Sequence, residues 1–293
     1  MDPAGELSGF IPEHDFFAGI DSDGCVFDSM EVKQKEFFIP SALRYFSLFP
    51  VSKYVRETWE FINLYSCHRG LNRFHALVRV FGLLSERREI IESGCPLPDT
   101  EDLKKWIASE TKLSNSTLRA WHERTGDSST GLILEWSEHV NAEINTWLKS
   151  VPPFDNAREA IERISSFADT AVISQTPLEA LVREWDENGI RQFASLIAGQ
   201  EHGTKTEHLA LAAKNKYPSH RILMIGDAAG DLQAAKDNGV LFYPVVPGRE
   251  VMSWKRLLED ALARFIEGSY SGRYEDKLIA EFRNSLPSEP HWQ

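Results

Sequence analysis

The chain has 293 residues, 42% of them hydrophobic and 26% charged, with a formal net charge of −12; these proportions describe a globular protein with apolar material for one large or two medium domains. The acidic balance disfavours nucleic acid and anionic membrane surfaces as partners. No apolar run reaches the roughly 18–20 residues that a membrane span needs, and Met1–Glu6 lacks a signal-peptide pattern.

The first predicted element is a strand. Phe16-Phe17-Ala18-Gly19-Ile20 is short and apolar with an aromatic pair, the signature of a buried β-strand. It runs into Asp21-Ser22-Asp23-Gly24, where residues two apart share a face until a turn at Gly24 re-aims them. Cys25 abuts this acidic turn, and with Cys67 and Cys95 it reads as one of three reduced thiols of a cytoplasmic protein. Residues 31–150 read as helical throughout, with Ile133, Trp136, Val140, Ile144 and Leu148 stepping by three or four. Val151-Pro152-Pro153 closes that block, because paired prolines cannot continue a helix.

Strands and helices then alternate. Helices are predicted over 157–167, 178–188, 204–216 and 231–238, with Gly189 and Gly239 as stop signals. Strands are predicted over 171–174, 195–198, 222–227 and 240–246, and a last helix over 276–282 precedes an irregular end. The alternation predicts an α/β fold: a Rossmann-like parallel sheet with helices on both faces and an all-helical domain inserted after the first strand. The expected division is 1–30 and 151–293 for the sheet domain, and 31–150 for the helical one.

In a parallel sheet all strand ends emerge on one edge, and ligands bind there. The first strand delivers Asp21 and Asp23, the second Ser174-Gln175-Thr176, and a later one Gly226-Asp227 with Asp231 four residues on; Lys205 opens a helix between them. Paired acids repel each other unless a cation or a proton separates them. An oxygen-only ligand set suits Mg²⁺. The combination fits phosphoryl transfer: one carboxylate attacks phosphorus, a second moves the proton, and a hydroxyl and an ammonium hold the transferring oxygens.

These segments, in order and spacing, resemble the four motifs of the haloacid dehalogenase superfamily: Asp21-Ser22-Asp23-Gly24, Ser174 after an apolar strand, Lys205, and Gly226-Asp227 with Asp231. The resemblance implies that Asp21 is the nucleophile and Asp23 the general acid/base. It implies Mg²⁺ held by Asp21, the backbone carbonyl of Asp23, and Asp227, with Asp231 nearby, and a phosphoryl group held by Ser174, Gln175 and Lys205. The insertion falls where the family carries helical caps of the first type, as in phosphoglycolate-phosphatase-like and β-phosphoglucomutase-like enzymes. The activity implied is a Mg²⁺-dependent phosphatase on a small phosphorylated metabolite through an aspartyl-phosphate, the cap closing over bound substrate. A phosphomutase with the same intermediate and a catalytically silent binding protein are the rivals. Asp23 separates the chain from true dehalogenases, which lack the second acid, and from transport ATPases, where that position is lysine.

Within the insertion, Cys67-His68-Arg69-Gly70-Leu71-Asn72-Arg73 is the most polar stretch. Arg69 and Arg73, four apart, are expected to share a helix face and to grip the leaving group or a second anionic group. The sequence leaves the oligomeric state open.

Overall fold

The computed structural model describes residues 3–292. The chain forms two compact units, Met1–Met30 with Ser150–Pro287, and Glu31–Lys149 with Ser288–Gln293.

The first unit holds a five-stranded parallel sheet: β1 (Phe16–Ile20), β2 (Ala168–Ile173), β3 (Leu196–Ala198), β4 (Ile222–Gly226) and β5 (Leu241–Pro244), in the order β3-β2-β1-β4-β5. β1 lies at the centre, Ile20 pairing with Val172 on one side and Ile225 on the other. Alternate residues feed two cores. Ala18, Ile20, Val172 and Ile225 pack with Trp185, Trp254 and Phe265 on one face, while Phe17, Ala171, Ile173 and Met224 pack with Leu209, Ala212 and Phe282 on the other. Burial on both faces is why these strands read as continuous apolar runs. Gly19 answers to the same packing, since a Cβ there would lie 2.6 Å from Ile173 Cδ1.

Several boundaries differ from the sequence reading. β2 begins at Ala168 rather than 171, and the apolar pattern misses its start because Asp169 is a buried acid within it. Its carboxylate accepts from the backbone N–H of Glu13 at 3.0 Å and of His14 at 2.9 Å, and from the Tyr217 hydroxyl at 2.6 Å. The helix after Thr204 stops at Ala212, and the last helix spans Arg273–Ser285. A helical run that the sequence pattern does not mark passes from Glu250–Arg256 through a π-helical Leu257–Ala261 into Leu262–Glu267. The π turn shifts the helical repeat, which hides an apolar stripe read at 3.6 residues.

The second unit is all-helical among its described residues, with helices at Ser52–Leu64, Arg73–Glu86 and Ser128–Trp147 as its longest. Its core holds Trp59, Phe74, Phe81, Trp106 and Trp136. The Trp136 ring lies 5.8 Å from those of Phe38 and Phe46 and 5.9 Å from that of Trp59. Residues Ser288–Gln293 group with this unit, which corrects the expected range 151–293. The anchor is Trp292, 5.5 Å from the Phe61 ring and 4.5 Å from the Arg87 guanidinium. No helix among the described residues is long and apolar enough to cross a membrane.

One buried titratable group in the sheet unit has a measurable signature. His208, fully buried in the Lys205–Ala212 helix, is pushed down to about 4 by burial and then by the charges of His202 and Lys205. It is therefore neutral in the fold at pH values where an unfolded histidine is charged. Stability drawn from this difference is full above about pH 6.5 and is lost as pH falls towards 4. Replacing His208 by Gln is expected to remove about 2 kcal/mol of the stability loss between pH 6.5 and 5, read by urea unfolding across that range.

Candidate active site

The residues after β1 are folded into a tight turn. Ser22 O accepts from the N–H groups of Cys25, Val26 and Phe27 at 3.3, 2.9 and 3.2 Å, and Gly24, at φ 79°, donates to Phe27 O at 2.8 Å. Two buried indoles pin the turn: Trp185 Nε1 donates to Ser22 Oγ at 3.0 Å and Trp254 Nε1 to Cys25 O at 2.9 Å. Asp21 N–H extends the sheet ladder by donating to Ile225 O at 2.9 Å. The Asp21 side chain is thereby fixed at the end of the central strand, 4% exposed.

β4 delivers the second acid group. Asp227 follows Gly226 directly, and Asp231 sits in the first turn of the Ala229–Asn238 helix. The Asp231 carboxylate folds back over the helix start: its Oδ2 accepts from Asp227 N at 3.2 Å and Ala228 N at 3.0 Å. This negative charge at a helix N-terminus is favourable. It leaves no room at Gly226, where a Cβ would lie 2.4 Å from Asp231 Cβ.

Lys205 opens its helix because Thr204 caps it. Glu207 N donates to Thr204 Oγ1 at 3.2 Å, and Thr204 N donates to Glu207 Oε2 at 2.7 Å, a reciprocal capping box. Lys205 Nζ then lies 2.8 Å from Asp21 Oδ2 and 2.6 Å from Asp231 Oδ1. Asp21, Asp227 and Asp231 each offer a carboxylate oxygen within 4.8 Å of the others, all three buried. Burial raises the Asp21 carboxyl well above its ordinary value, Lys205 opposes this, and Asp231 and Asp227 add to it. Burial works against the Lys205 charge too, but Asp21 and Asp231 outweigh it and raise the ammonium. Three buried carboxylates face one ammonium. A hard divalent cation bound by oxygen ligands fits that donor set and that charge deficit.

Asp23 stands in a different setting. Its carboxylate accepts from Thr176 Oγ1 at 2.8 Å and from Ser29 Oγ. Ser174, 2% exposed, donates its N–H to Ala198 O at 3.0 Å and accepts from Thr176 N at 3.2 Å. Gln175 is exposed and donates to Gly203 O at 2.9 Å, tying this loop to the residues before Lys205. Lys205 is thus in direct contact with Asp21 and Asp231, Asp227 has a carboxylate oxygen within 4.8 Å of theirs, and Thr176 of the segment 174–176 reaches Asp23. The sequence places Thr176 at the strand end without a contact to Asp23, and it does not mark Ser29. Thr176 carried a weak signal, as a second hydroxyl two residues past Ser174; Ser29 carried none. Cys25 is fully buried and burial pushes its thiol up, the state of a packing residue.

Arg69 and Arg73 correct an expectation, for they do not share a helix face. Gly70 takes φ 80° and Asn72 caps the Arg73–Glu86 helix by accepting from Phe74 N at 3.0 Å, so Arg69 lies in the turn before it. Arg69 is 4% exposed and its Nη1 donates to Leu64 O at 3.0 Å. Arg73 Nη1 donates to Ser137 Oγ at 3.0 Å and Asn141 Oδ1 at 2.8 Å, and its guanidinium lies 5.0 Å from the Phe38 ring centroid. Both arginines are thus held individually, Arg73 by the helix of Ser128–Trp147 and Arg69 by the Leu64 carbonyl.

A parallel sheet with clustered acids at its strand ends places the site where open α/β folds bind their ligands. The chain matches the haloacid dehalogenase-like hydrolase family over residues 91–245, just over half its length, and belongs to that family of hydrolases. The match includes Ser174, Lys205, Asp227 and Asp231 and begins after Asp21. None of the curated proteins matches the chain by sequence. Among solved structures, a putative haloacid dehalogenase-like hydrolase from Bacteroides fragilis is similar with a TM-score of 0.50 at 14% identity, over 81% of this chain and 92% of that one. A haloacid dehalogenase-like family hydrolase from Xanthomonas campestris gives a TM-score of 0.47 at 13% identity, over 89% and 96%. A predicted phosphoglycolate phosphatase from Haemophilus somnus gives 0.47 at 15%, over 79% and 86%. At 14% identity the likeness to the first of these is one of fold.

The charge balance gives a stability prediction. Removing one partner of a buried ion pair leaves its charge uncompensated, at a cost of about 3–5 kcal/mol. Lys205→Met is expected to destabilise the metal-free chain by about 3 kcal/mol or more, and adding Asp21→Asn to recover part of the loss, both read by urea unfolding in chelator.

Proposed function

We propose that the protein is a Mg²⁺-dependent phosphomonoester hydrolase acting on a small phosphorylated metabolite in the cytoplasm, through an aspartyl-phosphate. The observation that carries this reading is the pairing of two carboxyl environments: Asp21 in a buried cluster with Asp227, Asp231 and Lys205, and Asp23 held outside it by hydroxyls. One environment suits a nucleophile beside a cation. The other suits a group that gives and takes a proton.

In the first step an Asp21 oxygen attacks phosphorus, the bond from phosphorus to the leaving oxygen breaks, and Asp23 supplies that oxygen with its proton. In the second, Asp23 takes a proton from water as the water oxygen attacks phosphorus, and the Asp21 carboxylate is released. Ser174 and Lys205 hold the phosphoryl oxygens and stabilise the charge spread over them. Asp21, Asp227 and the backbone carbonyl of Asp23, with Asp231 alongside, would hold Mg²⁺, which when bound neutralises charge on the phosphoryl group and on the acid cluster. In this reading the helical insertion is the family's cap domain.

The test is hydrolysis of p-nitrophenyl phosphate with and without Mg²⁺. Wild type is expected to turn over only with the metal, and Asp21→Asn to lose on the order of 10³-fold or more of kcat. Equal activity in that variant sinks the assignment of Asp21. A panel of phosphorylated metabolites assayed for released phosphate then identifies the substrate. Binding without turnover gives a second readout: saturating MgCl₂ should raise Tm for wild type and raise it much less for Asp227→Asn.

A further inference from the structure

Two hydroxyl groups meet the carboxyl of Asp23, and neither belongs to the metal cluster. Thr176 Oγ1 donates to Asp23 Oδ2 at 2.8 Å, and Ser29 Oγ donates to Asp23 Oδ1. The two donors come from separate elements. Ser29 is fully buried at the start of the Ser29–Val32 helix. Thr176 lies in the loop after β2 and is itself held at three points. Its N–H donates to Ser174 Oγ at 3.2 Å, its carbonyl accepts from Gln200 N at 3.1 Å, and Gly199 packs so closely that a Cβ there would lie 2.8 Å from that carbonyl. These are anchored hydroxyls, one on each oxygen of a half-buried carboxyl.

A carboxyl at the end of a single-bonded side chain turns about two torsions, and proton transfer demands that it face the accepting oxygen. Contacts to both oxygens, from anchored partners, fix the plane of the group. We propose that Ser29 and Thr176 are positioning residues that orient the Asp23 carboxyl for proton transfer to and from the leaving oxygen. The proposal rests on the reading of Asp23 as general acid/base given above. The proton balance is unchanged by it: Asp23 gives its proton to the leaving oxygen as that oxygen parts from phosphorus, and regains one from the attacking water.

Leaving groups separate this role from others. A nitrophenolate departs readily without a proton, whereas an alkoxide depends on one. Steady-state kinetics with p-nitrophenyl phosphate and β-glycerophosphate, both with Mg²⁺, should give Thr176→Val and Ser29→Ala losses in kcat at least about tenfold greater on the glycerol ester, within the range that general acid catalysis supplies, with KM little changed. Thr176→Ser should restore most of the loss on that ester. If Thr176→Val does not fold, Thr176→Cys, with its weak S–H donor, carries the same comparison. Equal losses on the two esters overturn the proposal, because they mean that the hydroxyls serve substrate binding or the fold alone; so does an absence of loss on both. A wild-type chain inactive on both esters overturns the phosphatase reading, and the positioning role with it.

Discussion

Three carboxylates and one ammonium, sealed together at the end of the central strand, form the constraint that the rest of the sheet unit serves. Asp21, Asp227 and Asp231 are each 4% exposed or less, and burying charge is costly unless it is paired and hydrogen-bonded. The structure meets that cost locally. Lys205 bridges Asp21 and Asp231, and Asp231 collects two backbone N–H groups at the start of its helix. These arrangements in turn dictate sequence: glycine at 226, where a Cβ would collide with Asp231, and a capped helix that begins at Lys205. What remains after the internal pairing is three acids against one ammonium, an imbalance that a bound cation would offset.

The topology explains how residues so far apart in sequence come to share it. With the order β3-β2-β1-β4-β5, the central strand has β2 on one side and β4 on the other. The ends of exactly those three strands lead into Asp21, Ser174 and Asp227. Parallel pairing puts all three ends on one edge, where open α/β sheets bind ligands. The long helical insertion between β1 and β2 does not disturb this, because a parallel connection can be as long as its crossover needs. Trp185 and Trp254 add a second layer of control, each spending its buried N–H on the turn after β1.

The sheet and the acid cluster were legible because they rest on short-range signals. Strands buried on both faces are apolar runs, and Asp21 and Asp227 follow their ends directly, while Thr204 marks the helix start at Lys205, so these residues and Asp231 are legible as a group in the sequence. What escaped depended on long-range satisfaction or on a broken period. Asp169 hid the start of β2, since nothing near it in sequence announces that Tyr217 will meet its carboxylate. The helix from Glu250 to Glu267 hid behind its π turn. Arg69 and Arg73 misled because spacing alone suggested one helix face, although Asn72 is a good N-cap and Gly70 a good turn residue. Weighing those two residues would have started the helix at Arg73. Ser29 lay beyond reach, since a serine that meets Asp23 only through the fold leaves no local mark.

The partners chosen for each carboxyl carry the last distinction. Asp231 is met by two backbone N–H groups and an ammonium, all of which can only donate. Such company leaves the Asp231 carboxylate as acceptor alone. Asp23 is met by two hydroxyls, and a hydroxyl can donate or accept by turning its hydrogen. Two carboxyls separated by a single serine therefore sit in different environments, as the proposed pairing of a nucleophile with a proton carrier requires. Asp21 meets an ammonium, Asp23 meets two hydroxyl groups, and the turn that Ser22 holds lies between them.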